Sequence, residues 1–466
     1  MSSRRLRGER RRPARGERVG PAPSVAALLV GLARGEIQSR EIVEDCLVRI
    51  EADRDLNAIL WADGDRVRAM LAARASPSGP LGGMPVALKD NIDVAGVPTT
   101  AGSLVDRDRI PDADAPVWAR LRDQAGAVLI AKTHLCEFAY RAHHPALGWV
   151  RNPRDRDRAT GGSSSGSAAA VGAGLVPAAL GTDTGGSLRI PAAYCGVVGL
   201  KGTFGAVSTA GVVPLSPSMD HVGVMARSVT DAALVLQEMA AEMAQGMAQN
   251  AAGRGRPRRV AGELEIRPPL PAALRVGVEQ GYFLSRAQPA VIAAWTRAAL
   301  ALEAAGCRMV PVRLAAAGRW RAAHRTVLLH EAWEYHAGRI LAGAPYGPVF
   351  KLAISRGARI PRHRYEAALA TRARAAREVA AVFRDIDVFL TPTCPTVAPA
   401  QEEGRTRLDY TRYTTLASFV GVPAISIPAG TGYLGLPVGV QLISGAGQER
   451  KLIGAAALLE GLLATA

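Results

Sequence analysis

Between residues 159 and 190 the chain places polar, almost side-chain-free sequence where apolar core is expected. Gly161-Gly162-Ser163-Ser164-Ser165-Gly166-Ser167 is followed by Gly181-Thr182-Asp183-Thr184-Gly185-Gly186-Ser187-Leu188-Arg189. Apolar sequence flanks both segments, over Ala168 to Leu180 and Ile190 to Leu200. Glycine-rich backbone inside core-like sequence points to close approach of a ligand. Ser187 follows two glycines and precedes Pro191-Ala192-Ala193, which reads as a short helix. Successive backbone N–H groups at such a turn converge on an anion, a developing oxyanion included. A pair of tight turns is the structural alternative, and the segment alone leaves both open.

The rest of the chain sets a frame for it. With 466 residues, 48% hydrophobic and 21% charged, it is globular in composition and long enough to bury a core without staples. Short β-type runs (Pro85 to Lys89, Ala127 to Ala131, Gly196 to Leu200) alternate with helical stretches such as Ala115 to Gln124, which predicts an α/β fold. Residues 24 to 60 read as two helices. Further helices are expected at Pro289 to Ala305, Arg319 to Ala342 and Arg364 to Phe383. Late strands are expected at Leu274 to Val278, Val388 to Leu390, Ala424 to Ile427 and Val438 to Ile443, placed to complete one sheet. Residues 241–271, rich in Gln, Gly, Arg and Pro, read as a loop insertion. The expected organisation is a disordered Arg-rich tail over 1–22 and one domain over 23–466.

The formal charge of +16 is partly local, because residues 1–20 hold eight arginines and two glutamates. No nucleic-acid-reading motif accompanies this tail, so a nucleic-acid partner is disfavoured. Five cysteines with no CxxC pair give neither a disulfide framework nor a zinc site, and fit a reducing, cytoplasmic setting. Ser24 to Arg34 reads as an amphipathic helix with a Ser cap and a Gly stop, not as the apolar part of an export signal. The uncharged runs Ala159 to Thr182 and Tyr413 to Gln448 are too rich in glycine, serine and proline for membrane spans.

A serine nucleophile needs a base. None of the eight histidines sits in a triad context, and His330 and His336 are six apart rather than the four a shared metal face requires. Gly162 to Gly166 fits G-x-S-x-G formally, but no strand precedes the serine. Lysine remains. Lys89 ends the apolar run Pro85-Val86-Ala87-Leu88-Lys89, where burial would lower its pKa. A neutral lysine accepts a proton and an arginine does not. The chain has five lysines against 52 arginines, which makes Lys89 suggestive without singling it out.

Lys89 and the two glycine–serine segments together resemble the amidase signature family of serine hydrolases. The spacing agrees, with 74 residues from Lys89 to Ser163 and 24 from Ser163 to Ser187. The likeness is strong over residues 81–227 and extends to Thr391-Pro392-Thr393 and Pro423-Ala424-Ile425-Ser426-Ile427-Pro428. It implies a single large domain with a mixed β-sheet covered by helices on both sides. It implies Ser187 as nucleophile, Ser163 on a cis peptide as relay, and Lys89 as base. The backbone N–H groups of Thr184, Gly185, Gly186 and Ser187 would form an oxyanion hole, supported by Asp183 and Arg189. The implied activity is amide hydrolysis to acid and ammonia or amine through an acyl-enzyme, with no metal or cofactor.

Two prolines usual in the family are replaced, by Thr160 and Gly202. The glutaminase A-type subunits of glutamyl-tRNA(Gln) amidotransferases usually carry an Asn-Leu-Ala-Gly-Leu-Pro run with an acidic residue seven positions earlier. Here the run is Ser418-Phe419-Val420-Gly421-Val422-Pro423, the earlier position is Thr411, and Asp409 is out of register. A stand-alone amidase is therefore favoured over such a component of a complex, and a homodimer is compatible with the sequence. Tyr140, His143, His144, Trp149 and Met219 flank the catalytic segments and are the candidates for the substrate pocket.

Overall fold

Strand β2, Pro85–Lys89, is buried at every residue. Successive strand residues point to opposite faces. Val86 and Leu88 pack with Trp118 and Leu121 of the helix Pro116–Asp123 and with Val235 of the helix Val229–Met239. Ala87 packs with Cys46 and Ile50 of the helix Ser39–Ala52 and with residues of the helix Ser165–Gly172. Helices thus cover both faces of the sheet. The computed structural model describes residues 22–73, 79–240, 273–314, 316–401 and 410–465. The expected tail up to residue 21 and the whole of the expected 241–271 loop lie outside these residues.

Among the described residues the sheet has eleven strands. The others are β1 (Ile59–Trp61), β3 (Val128–Thr133), β4 (Ala178–Asp183), β5 (Val198–Lys201), β6 (His221–Ala226), β7 (Arg275–Val278), β8 (Arg308–Pro311), β9 (Val388–Pro392), β10 (Ala424–Thr431) and β11 (Pro437–Ser444). Their order is β1-β3-β2-β4-β6-β5-β10-β11-β9-β7-β8. The β3-β2-β4 and β8-β7-β9 neighbours run parallel, and the remaining pairs are antiparallel. This is one mixed sheet covered by helices. The late strands β9, β10 and β11 complete it.

Local chemistry accounts for several element ends. The helix Val25–Ala33 begins where Ser24 Oγ accepts the Ala27 N–H at 3.1 Å, and Gly35 follows it at φ +67. The apolar stretch Ala168 to Leu180 is split: the helix Ser165–Gly172 ends, the chain turns at Gly174 with φ +72, and β4 begins. No separate sequence signal marks β4, because an unbroken apolar run has no period that tells buried helix from buried strand. β1, β6 and β8 also go beyond the sequence expectation. β1 and β8 lie at the two edges of the sheet, and with three and four residues they are too short to show a strand period.

A third apolar cluster lies under the long helices Ala317–Leu341 and Arg362–Asp385. It joins Val327 and Leu328 to Phe389, Leu416 and Phe419. This packing brings the helix Ala317–Leu341 and the helix Thr415–Val420 against the glycine-rich loop after β4. Among the described residues no helix is long and apolar enough to cross a membrane.

Candidate active site

β2 and β4 run parallel, so both bring their carboxyl ends to the same edge. Ligand sites of open α/β sheets favour that edge. Lys89 ends β2 and is fully buried. Its Nζ lies 2.8 Å from Ser163 Oγ and 2.6 Å from Thr182 Oγ1. Burial is the main cause that brings the Lys89 pKa down from 10.5 to about 7, against the opposing fields of Cys136, Asp220 and Asp183. The amine is therefore substantially neutral near pH 7 and can accept a proton.

Being buried at a strand end does not distinguish Lys89. Lys132 and Lys201 are also fully buried, and burial brings Lys201 to about 7 as well. Lys132 Nζ meets Asp90 at 3.1 Å and Thr99 Oγ1 at 2.7 Å. Lys201 Nζ donates to the carbonyls of Gly202 and Val422, at 3.1 and 2.6 Å. Lys89 differs in meeting a serine hydroxyl. That is a property of position, which composition could not supply.

Ser163 follows a cis peptide bond from Gly162 and is itself buried. Its segment is tied to the second one where the Ser164 N–H donates to the Ser187 carbonyl at 3.2 Å. Ser164 Oγ also bridges the chain of Thr182, donating to its carbonyl at 3.1 Å and accepting its N–H at 3.2 Å. The glycines are required by packing: a Cβ on Gly181 would come 2.7 Å from Ser164 Oγ, and one on Gly162 would come 2.6 Å from Cys136 Sγ. In the run from Gly181 to Ile190, Ser187 alone is partly exposed.

The loop from Asp183 to Leu188 is clamped on nearly every side. Asp183 accepts the N–H groups of Gly186 at 2.8 Å and Leu188 at 3.2 Å. It also accepts Arg189 Nε and Nη2, both at 3.0 Å, and Ser418 Oγ at 2.7 Å. Burial by itself would raise the Asp183 carboxyl, but the Arg189 charge and hydrogen bonds, Lys201 and Ser418 hold it well below the usual carboxylate range. Arg189 is completed by Gln441 Oε1 at 2.9 Å and Ser418 Oγ at 2.8 Å. Thr184 Oγ1 donates to Asp220 at 2.5 Å, and Thr414 Oγ1 donates to the Gly185 carbonyl at 2.7 Å.

The four N–H groups expected to act together are not equivalent. That of Gly186 is committed to Asp183, whereas those of Thr184, Gly185 and Ser187 meet no acceptor among the described residues. Removing one partner of a buried pair leaves the other charge uncompensated. Asp183→Asn is therefore expected to destabilise the fold by about 3–5 kcal/mol, read as a lower urea midpoint.

The pocket candidates separate. His143 Nε2 lies 2.8 Å from Ser165 Oγ, beside the Ser163 segment. His144 is buried with Nε2 3.1 Å from the Pro345 carbonyl, which ties two loops together. Met219 is fully buried in the third cluster, and its carbonyl lies 2.7 Å from His221 Nδ1. Tyr140 packs at the edge of that cluster, and the Trp149 carbonyl accepts from Asn57 at 3.1 Å. Sequence reasoning does not single out Thr182, Asp220, His324, Thr414 or Gln441. Thr182 stands inside the quoted motif. The others reach the loop from elements more than 30 residues away, with no local pattern to mark them.

The family model described as Amidase matches residues 41–453. The chain belongs to the amidase family. It is accordingly a hydrolase acting on amides. It is 36% identical over 457 residues to the A-type subunit of the glutamyl-tRNA(Gln) amidotransferase of Akkermansia muciniphila, covering 89% of this chain and 93% of the relative. It is 35% identical over 460 residues to AtzE, a 1-carboxybiuret hydrolase subunit of Pseudomonas sp. strain ADP, covering 93% and 97%. The solved peptide amidase of Stenotrophomonas maltophilia is 32% identical, with a TM-score of 0.76 over 94% of this chain and 96% of that one. The amidase family is thus matched in both sequence and fold. Among the described residues no cluster of three or more His, Cys, Asp or Glu side chains is placed to hold a metal.

Proposed function

We propose that the protein hydrolyses a carboxamide through an acyl-enzyme on Ser187, with Ser163 as proton relay and Lys89 as base. The observation that carries this reading is the 2.8 Å contact of a buried Lys89, its pKa lowered to about 7, with Ser163, beside a partly exposed Ser187. Ser187 Oγ attacks the amide carbon. Its proton passes to Ser163 Oγ as the Ser163 proton passes to Lys89 Nζ. The oxyanion that forms takes hydrogen bonds from the N–H groups of Gly185 and Ser187, and that of Thr184 is open to it. As the C–N bond breaks, the proton returns through Ser163 to the leaving nitrogen. Water, activated by the same relay, then attacks the ester. The acid leaves and the Ser187 hydroxyl is restored. Asp183 and Arg189 hold the loop in shape throughout.

Labelling with a serine-directed fluorophosphonate, followed by peptide mapping and turnover on a diverse amide panel, tests this. Label on Ser187 and hydrolysis of at least one amide are expected. Label elsewhere overturns the assignment. The relatives' different names leave the acyl and amine groups to the panel. His143, beside Ser165, is the pocket candidate best placed to meet substrate.

A second reading is a catalytic component that needs partners. Its support is that the Akkermansia and Pseudomonas relatives are named as subunits. Ser418 and Thr411, which replace the glutaminase pattern, favour the stand-alone enzyme. Glutaminase activity appearing only with co-purified partners would reverse that preference. The Arg-rich tail is read as dispensable for chemistry. Deleting residues 1–20 is expected to leave amide turnover within about twofold; salt-sensitive nucleic-acid binding lost with the tail, and no turnover, would instead support a nucleic-acid-interacting protein with an inactive hydrolase body. Five free, buried cysteines fit the cytoplasmic reading.

A further inference from the structure

The long helix Ala317–Leu341 sends one side chain into the loop before Ser187. His324 Nε2 lies 2.8 Å from the Thr184 carbonyl oxygen. A carbonyl only accepts, so Nε2 must carry the proton and the ring is held as the Nε2–H tautomer. The ring is buried, and burial is the main cause that lowers its pKa from 6.5 to about 4. At neutral pH it is an uncharged donor of fixed direction. The ring also lies directly against Gly185, where a Cβ would come 3.0 Å from Cε1.

A trans peptide group holds its C=O and N–H antiparallel. Turning the Thr184 carbonyl toward His324 therefore turns the Gly185 N–H to the opposite side. Among the described residues that N–H meets no acceptor, and Ser187 two residues on is the partly exposed member of the loop. The next peptide is fixed by other groups: Thr414 binds the Gly185 carbonyl and Asp183 binds the Gly186 N–H. His324 is left as the side chain that holds the Thr184–Gly185 plane.

We propose that His324 is a positioning residue that aims the Gly185 N–H at the oxyanion formed on the substrate carbonyl. The inference rests on the reading of Ser187 as nucleophile. Without the His324 donor, the Thr184 carbonyl is left buried and unpaired. A tilt or flip of the peptide relieves that cost and takes the Gly185 N–H out of the hole.

The experiment compares fluorophosphonate labelling rates at Ser187 in the wild type, His324→Leu and His324→Gln, because phosphonylation also develops an oxyanion there. Loss of one oxyanion donor costs about 10²–10³ in rate. His324→Leu is expected to label about 10- to 100-fold more slowly. With an amide the wild type turns over, it should lose kcat by a similar factor with KM within about twofold. His324→Gln, whose side-chain amide can still donate, is expected to recover most of the rate. In the wild type, ¹⁵N NMR of the His324 ring should report the neutral Nε2–H tautomer at pH 7.

Equal labelling of wild type and His324→Leu overturns the inference. So does a glutamine variant as slow as the leucine one, or an Nδ1–H ring. If His324→Leu does not fold, His324→Phe, a ring without the donor, takes its place: labelling about 10-fold or more slower than wild type upholds the inference and equal labelling ends it. Absence of label on wild-type Ser187 is a different failure, since it removes the nucleophile assignment itself.

Discussion

Ser187→Ala is expected to lower kcat on any amide substrate by about 10⁴-fold or more, with the fold unchanged. In the proposed reaction this hydroxyl becomes the ester, so no neighbour can replace it. Ser163 is 3% exposed and held by Lys89, which leaves it no path to a substrate carbonyl of its own. The alanine variant should keep its urea midpoint, because Ser187 is only partly buried and its side chain is no part of the Asp183–Arg189 network. Turnover of the amide panel within about tenfold of wild type would end the assignment. Retention of the oxyanion donors predicts a small residual rate above the uncatalysed reaction.

Lys89→Arg is the second large effect. It keeps a positive charge and still loses about 10³-fold or more in kcat/KM, because a guanidinium stays protonated and cannot serve as base. The wild-type pH profile follows from the same residue. With its pKa at about 7, Lys89 is mostly protonated below that value and mostly neutral above it, and only the neutral form can serve as the proposed base. The sign is therefore a kcat/KM that falls on the acid side, about tenfold per pH unit below about 7. A profile flat from about pH 5 to 8 would sink Lys89 as the base. Lys201, also brought to about 7 by burial, provides the control. Its Nζ is engaged by two carbonyls, so Lys201→Met should leave the midpoint of the acid limb in place even if it lowers stability.

Much of the catalytic strand–loop pairing is legible because it is written in contiguous residues. The apolar run ending in Lys89 is a buried strand, and the glycines of the 161–166 and 181–186 segments stand where a Cβ would collide with neighbouring atoms. The late strands are legible from their flanking turn residues. β4 is not, because Ala168 to Leu180 is apolar throughout and only the turn at Gly174 divides helix from strand. Nearness in sequence to the proposed catalytic segments is what marks Met219 and His144 as pocket candidates. The structure places the Met219 side chain in a core cluster and the His144 ring on a loop tie. Sequence nearness fixes a distance along the chain and not the direction of a side chain.

The sequence by itself determined the family, the residue types able to carry amide hydrolysis, and the order in which they occur. Tertiary structure decided which of three buried lysines meets a serine, since Lys89, Lys132 and Lys201 are all buried at or next to the end of a strand and are told apart by what surrounds Nζ. It also decided which backbone N–H groups stay open. Asp183 takes that of Gly186, while His324 and Thr414 fix the carbonyls on either side of Gly185 from 140 and 229 residues away. The physical reason is the same in both cases. Hydrogen bonds have short reach and strict direction, so their partners are chosen by the packing of distant elements, which no local pattern records.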